Sequence, residues 1–226
     1  MPTLRFFGHS ACEVVHEDTH VLIDPFLTGN PLNAVDPDTL NPTAILLTHA
    51  HNDHVGDAPA IARRTGANLI GMHEIAEFFG GQGLTTHGMS IGGGYRFPWG
   101  HVKLTPAWHS STYEDENGFH TLGTPAGILL TLGDTVLYHA GDTALFSDMA
   151  LLPEVDLALI PIGDNYTMGP DDAVKAVNLI QPKRVVPIHY NTFPVIAQDA
   201  EAWAKRVEEE TGIPVVVVPP GGSLTY

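Results

Sequence analysis

The sequence predicts an α/β fold in which two sheets pack together beneath outer helices, and three observations carry that reading. Short apolar, β-branched runs bounded by Gly, Pro and Asp recur from one end of the chain to the other. They outnumber helical stretches about two to one, with the helices interspersed rather than grouped. Several runs are apolar at nearly every position, as strands covered on both faces must be. At 226 residues and 43% hydrophobic, the chain fits one domain over 1–226, because single cores grow to about 250 residues.

Taken in order, the strand-forming runs begin with LRFF at 4 to 7, HVLID at 20 to 24, AILLTH at 44 to 49 and NLIG at 68 to 71. HVKLTPAWH at 101 to 109, AGILLTL at 126 to 132 and TVLYHAGD at 135 to 142 follow, then DLALIPIG at 156 to 163, RVVPIH at 184 to 189 and PVVVVP at 214 to 219. Helices are expected at 55 to 64, 73 to 79, 143 to 151, 171 to 180 and 199 to 211. The fourth is best marked: Pro170 precedes it with φ already set, and Asp171 and Asp172 complement the positive end of its dipole. Stretches 25 to 43 and 80 to 94 read as long loops, and the GGQG and IGGG within the second lie at no strand-to-helix turn, so neither is a phosphate cradle. The strand-loop-helix order of 44 to 64 returns at 156 to 180, a faint sign of two similar halves.

Charge narrows the function classes. Ten Lys and Arg against 26 Asp and Glu give a formal net charge of -16, a field that repels phosphate backbones and anionic membrane surfaces. The expected partner is a small-molecule substrate, with no nucleic acid and no membrane. Cys12 is alone, so no intrachain disulfide forms, and the N-terminal stretch shows no signal pattern; both features suit a cytoplasmic protein.

Thirteen His outnumber the basic residues, and they are not scattered. The run AILLTH leads into THAHNDHVGD at 48 to 57, which packs His49, His51, Asp53 and His54 into six positions; roughly 0.003 such patterns per chain arise by chance. Imidazole and carboxylate are the donors of Zn, Mn and Fe sites, and two His at i, i+2 on a strand end can point one way. Asp53 and His54 then open the following turn, where they can face a second ion. Further donors must come from elsewhere, and three later runs end in one: His109, Asp142 and His189. Donors at the tips of apolar strands line a pocket without burying unpaired charge in the core. Asp24, at the tip of HVLID, and Asp57 are candidates to hydrogen-bond ligand imidazoles and fix their tautomers. His9 in GHSA, and His139 three residues before Asp142, fall nearest the pocket among the remaining His.

The ordered set HAHNDH, WHS, AGDT and IHY resembles the metal-ligand set of the metallo-β-lactamase fold superfamily. More narrowly, GHSA at 8 to 11, DPF at 24 to 26, PIGDNYTMGPDDAV at 161 to 174 and IHYNTFP at 188 to 194 resemble the bacterial metal-dependent hydrolase branch related to ascorbate-6-phosphate lactonase. The resemblance implies a four-layer αββα sandwich of two mixed sheets with a two-metal site along their shared edge. Carried over, His49, His51 and His109 hold one divalent ion, Asp53, His54 and His189 the other, and Asp142 bridges both. Zn suits these donors best, with Mn or Fe as other choices. The implied enzyme is a hydrolase that attacks a small ester, lactone or phosphodiester with a hydroxide shared by the two ions. Asp53 and Asp142 are its catalytic carboxylates, the first also passing a proton to the leaving group. A module that binds Zn or Mn without turnover is the competing reading, and room for water on each ion separates the two.

None of the ten basic residues falls in the loops 24 to 43, 108 to 125, 161 to 170 or 189 to 198. A phosphate held away from the metals usually wants an Arg, so the substrate is expected to place a single phosphodiester or a neutral carbonyl at the metals. Apolar and neutral groups such as Phe26, Tyr113, Phe119, Asn165 and Tyr166 are then expected to contact the rest. Ascorbate-6-phosphate itself fits only if Arg96 or Lys103 reaches in.

Overall fold

Two mixed sheets dominate the computed structural model, which describes residues 1–226. In the first, β1 (Thr3–Gly8), β2 (Ala11–His16) and β3 (Thr19–Ile23) form an antiparallel meander. Parallel pairing then carries the sheet through β4 (Ala44–Leu46), β5 (Asn68–Met72) and β6 (Thr86–Met89). In the second sheet, β7 (Gly94–Phe97), β8 (Gly100–Pro106), β11 (Ala126–Leu132) and β12 (Thr135–His139) are antiparallel. β13 (Leu157–Pro161) and β14 (Val185–Ile188) continue it in parallel. β9 (Thr112–Asp115) and β10 (Gly118–Thr121) make a separate hairpin, and β15 (Ser223–Thr225) joins the free edge of β1.

The period of two along each strand decides where the layers meet. Ile128, Leu130 and Leu132 of β11, Leu157 and Leu159 of β13, and Val186 and Ile188 of β14 face the first sheet in one large core. The intervening Leu129, Ala158, Ile160 and Val185 point the other way. They meet Val174 and Val177 of α4 (Pro170–Ile180) and Trp203 and Val207 of α5 (Ala200–Thr211). α2 (Ala58–Thr65) and α3 (His73–Gly80) pack on the first sheet through Ile61, Ile75 and Phe79. The layers therefore run helix, sheet, sheet, helix. Each such fully buried side chain contributes about 1.5–3 kcal/mol, so sheets apolar on both faces hold the strand ends firmly in place. No helix is long and apolar enough to cross a membrane.

Five expectations need correction. The helix expected at 55 to 64 is two: α1 (Asn52–Val55) and α2, separated at Gly56. A Cβ on Gly56 would lie 2.5 Å from the Pro25 carbonyl oxygen, and φ there is +41°, so only glycine lets the chain turn against 25 to 26. The helix expected at 143 to 151 is one 3₁₀ turn over Ser147–Leu151. Its first residues are engaged elsewhere: Ala144 N–H donates to the Trp108 carbonyl, and the Thr143 carbonyl accepts from Met168 N–H. PVVVVP forms only a single bridge, Val185 to Val215, since Pro214 and Pro219 remove the donors a ladder needs. The loop 80 to 94 contains β6, and β2 lies in a stretch where no strand was expected.

Candidate metal centre

All seven expected donors come together past the C-terminal ends of β4, β8, β12 and β14. Only His189 follows its strand directly; His109 and Asp142 each lie three residues beyond theirs. Those short overhangs are pinned to each other. Trp108 N–H donates to Thr143 Oγ1 at 3.0 Å, and Ala144 N–H returns a bond to the Trp108 carbonyl at 3.1 Å. His51 caps the backbone start of α1, which carries Asp53 and His54 on its single turn. Asn52 between them exchanges two hydrogen bonds with the Glu114 backbone, at 2.8 and 3.0 Å, and so holds the β9–β10 hairpin beside the site.

The donors fall into two clusters. In the outer one, His49 Nε2 lies 3.0 Å from His51 Nδ1, and the His109 ring centroid is 5.2 and 4.9 Å from those of His49 and His51. One nitrogen from each of the three lies within 4.8 Å of the others. The inner cluster gathers Asp53, His54, His189 and also His9 within the same limit. Asp142 stands between the two. Its carboxylate is 3.3 Å from His54 Nε2, 2.9 Å from His189 Nε2 and 3.6 Å from His109 Nε2.

Asp24 is fully buried and accepts from Thr48 N–H at 2.8 Å, Thr48 Oγ1 at 2.6 Å and His54 Nδ1 at 2.8 Å. That last bond leaves His54 Nε2 free toward the site. Asp57 is placed otherwise than expected. It accepts from Leu27 N–H, Thr28 N–H and Thr28 Oγ1, anchoring the loop 25 to 43, and neither bonds a ligand imidazole nor caps α2 with its side chain. His139 is buried and joins two loops, with Nε2 donating to the Ser10 carbonyl at 3.0 Å while Nδ1 accepts from Gly141 N–H.

Electrostatics separates the clusters. Burial pushes His49, His51 and His109 below the ordinary imidazole range, so all three are neutral at neutral pH. Burial opposes a charge on His54 as well, but the carboxylates of Asp142 and Asp24 outweigh it and hold that imidazole well above its usual range. Asp142 and Asp53 are held low against their own burial, the first by His189 and His54, the second by His9 and His54.

The donor set fits divalent ions. His54 Nε2 and Asp142 Oδ1 are buried and face each other, yet neither has a hydrogen-bond partner; His9 Nε2, in the same inner cluster, is unpartnered too. Buried polar atoms are nearly always paired, and several orphans converging on one point are what a cation would satisfy. A cavity of about 350 Å³ opens over them, lined by His51, Asp53, His109, Ser110, Asp142, Tyr166 and His189.

A family model described as the beta-lactamase superfamily domain matches residues 19–190, which includes every one of the seven expected donors. The chain belongs to the beta-lactamase superfamily. It is 52% identical over 214 residues to a UPF0173 metal-dependent hydrolase, YtkL, of Bacillus subtilis, covering 92% of this chain and 94% of that one. To a UPF0173 metal-dependent hydrolase of Thermus thermophilus it is 48% identical over 226 residues, 99% of each. Among solved structures, Igni18, a metallo hydrolase of Ignicoccus hospitalis, superposes with a TM-score of 0.92 at 37% identity, covering 100% of this chain and 98% of that one. This superfamily member is thus a metal-dependent hydrolase, as its motif order implied.

Three residues near the site escaped the sequence reading. Ser110 Oγ lies 3.1 Å from His51 Nε2, Thr48 Oγ1 lies 3.0 Å from His49 Nδ1, and Thr192 Oγ1 lies 2.8 Å from His9 Nδ1. Thr48 and Ser110 each adjoin an expected ligand, and Thr192 lies three residues after His189 within IHYNTFP, signals present in the sequence. Trp108, beside His109 in sequence, is exposed but lines a separate surface hollow with Leu145 and Phe146 rather than the cavity over the donors. Among the expected substrate contacts, Tyr166 lines the cavity and Asn165 does not. Tyr113 packs instead on Phe78 and Phe79, its ring centroid 5.6 and 5.4 Å from theirs. Neither Arg96 nor Lys103 lines the cavity; both lie exposed on β7 and β8.

Proposed function

We propose that this metal-dependent hydrolase works with two divalent ions, one in each cluster, and cleaves a small ester, lactone or phosphodiester. One observation carries the reading: the Asp142 carboxylate lies within 3.6 Å of imidazole nitrogens from His54, His109 and His189, at the boundary of both clusters. His49, His51 and His109 would hold one ion, Asp53, His54 and His189 the other, with Asp142 touching both. Such an ion pair acidifies a water and polarises the substrate's oxygen.

The chain's own groups do the rest. Asp24 accepts from His54 Nδ1 and so fixes which nitrogen of His54 faces the site. Asp53 lines the cavity with an ionised carboxylate, placed to accept a proton and return it to the leaving group. Tyr166 brings an exposed aromatic surface to the cavity. No Lys or Arg lines the cavity, which favours a substrate with one phosphodiester or a neutral carbonyl over a polyanion. The open cavity above the donors favours turnover over storage. A single large core that draws side chains from both sheets supports one domain over 1–226.

The test is a chromogenic panel of phosphodiester, lactone, thioester and β-lactam, offered to protein reloaded separately with Zn and with Mn. Turnover of a phosphodiester or lactone, with about two ions per chain by elemental analysis, is expected. Loaded protein that carries no more than one ion, or that turns over none of the panel, would overturn the reading.

A further inference from the structure

We propose that His9 is a further metal-ligating side chain, which closes the inner cluster around its ion and leaves the outer ion the more exchangeable of the two. The inference rests on the two-ion reading above.

His9 is 1% exposed and sits in the turn between β1 and β2, away from the HAHNDH motif in sequence. Its ring reproduces the setting of His54 atom for atom. In His54, Nδ1 is tied to an oxygen of Asp24 at 2.8 Å, while Nε2 is buried, unpartnered and 3.3 Å from an oxygen of Asp142. In His9, Nδ1 is tied to Thr192 Oγ1 at 2.8 Å, while Nε2 is buried, unpartnered and 3.3 Å from Asp53 Oδ2. A ligating imidazole characteristically has one nitrogen engaged by a neighbour and the other free to bind. An imidazole that merely oriented Asp53 would instead donate a short, well-aligned bond to it.

The surroundings point the same way. Ligand atoms of His9, Asp53, His54 and His189 all lie within 4.8 Å of one another, so that with Asp142 the inner ion would have five protein donors and one octahedral position left for water. The backbone is strained in step with this. Only three buried non-glycine residues have positive φ: His9 at 57°, Asp24 at 46° and His189 at 56°. Two of them belong to this cluster and the third holds His54. Such conformations persist where the surrounding structure over-determines them, and they concentrate at functional sites. The two strained turns also lock together, with His189 N–H donating to the His9 carbonyl at 2.7 Å and the rings 4.1 Å apart. The outer cluster has no fourth donor of its own: it gathers His49, His51 and His109, against four residues in the inner one.

The experiment uses Co(II) as the probe on the full-length protein, with wild type, His9→Ala and His9→Gln compared by metal content, visible absorption and the time course of removal by a chelator. Far-UV circular dichroism of each variant establishes that it folds. Wild type is expected to hold two ions and to release them in two phases. Both variants should keep the fast phase, lose the slow phase through at least about tenfold acceleration, and show an altered Co(II) spectrum. Gln can still hydrogen-bond Thr192 or Asp53 but is a poor ligand, so slow release restored in His9→Gln would show that His9 only positions Asp53. Unchanged release in both variants would overturn the proposal and leave the two-ion reading standing, whereas one ion in wild type would overturn both. Should the variants fail to fold, anomalous diffraction from wild-type crystals decides: an inner ion about 2.1 Å from His9 Nε2 supports the proposal, and one beyond bonding reach overturns it.

Discussion

The outer and inner clusters sit at the same kind of place, but the outer is all histidine while the inner includes Asp53, and their imidazoles are backed differently. Hydroxyls stand behind the outer one: Thr48 behind His49 and Ser110 behind His51. A fully buried carboxylate, Asp24, stands behind His54 in the inner one, and Asp53 belongs to that cluster itself. The result is three neutral imidazoles on one side and an imidazole drawn toward its charged form on the other. Ligand identity alone therefore does not set the character of a metal pocket; the groups one bond further out do.

The contrast predicts a graded series of effects. Largest should be Asp142→Asn, because that carboxylate touches both clusters. We expect kcat/KM to fall by at least about 100-fold, with both ions bound more weakly in a metal titration. Two tightly held ions and full turnover in that variant would contradict its shared position.

Next comes the comparison of supports. Asp24→Asn should lower metal affinity by about 10–100-fold, and replacing one buried acceptor oxygen by an amide donor should also cost about 1–3 kcal/mol of stability in denaturant unfolding. Ser110→Ala touches only the more exposed His51 and should do much less. Equal losses in the two variants would erase the distinction between charged and neutral backing.

A pH series sharpens it further. Protons and metal ions compete for the same imidazole lone pairs, so metal affinity must fall with pH. His49, His51 and His109, depressed by burial, stay free of protons until the pH drops below the ordinary imidazole range, His49 the furthest. His54, raised by Asp142 and Asp24 against its burial, meets proton competition at higher pH. Metal uptake by the metal-free protein near neutral pH should accordingly release protons, detectable with an indicator dye in weak buffer. Metal content in chelator should decline between about pH 8 and about pH 5. Uptake without proton release, or content that is flat across that range, is the result that would break this account.

The smallest effect belongs to the rim shared by both clusters. Tyr166→Ala removes an exposed aromatic group that holds no donor in place. KM should rise severalfold, by about 1 kcal/mol of lost contact, at unchanged metal content. A loss of metal in this variant would move Tyr166 into the donor scaffold.

Much of this was legible in the chain because metal ligation demands specific atoms at specific spacings. HAHNDH is improbable by chance, and His109, Asp142 and His189 each follow an apolar run whose burial can be read from composition. Asp24 could be picked out as the acid that ends HVLID. Asp57 was misread because an acid near a helix start has several uses, and only the path of the loop 25 to 43 decides which. The helix expected at 143 to 151 failed for a related reason: its propensity is real, but loops distant in sequence claim the first carbonyl and N–H groups.

What the sequence by itself determined is the set of donors, the alternation that splits the second sheet between two cores, and a charge balance unsuited to polyanions. These follow from residue identity and from periods of a few positions, which are local. What only the tertiary structure decided is which donors meet, which oxygen stands behind each imidazole, and that His9 and Thr192, 183 positions apart, join the inner cluster. Those pairings depend on how two sheets stack and where their loops cross, and no local spacing along the chain encodes that distance.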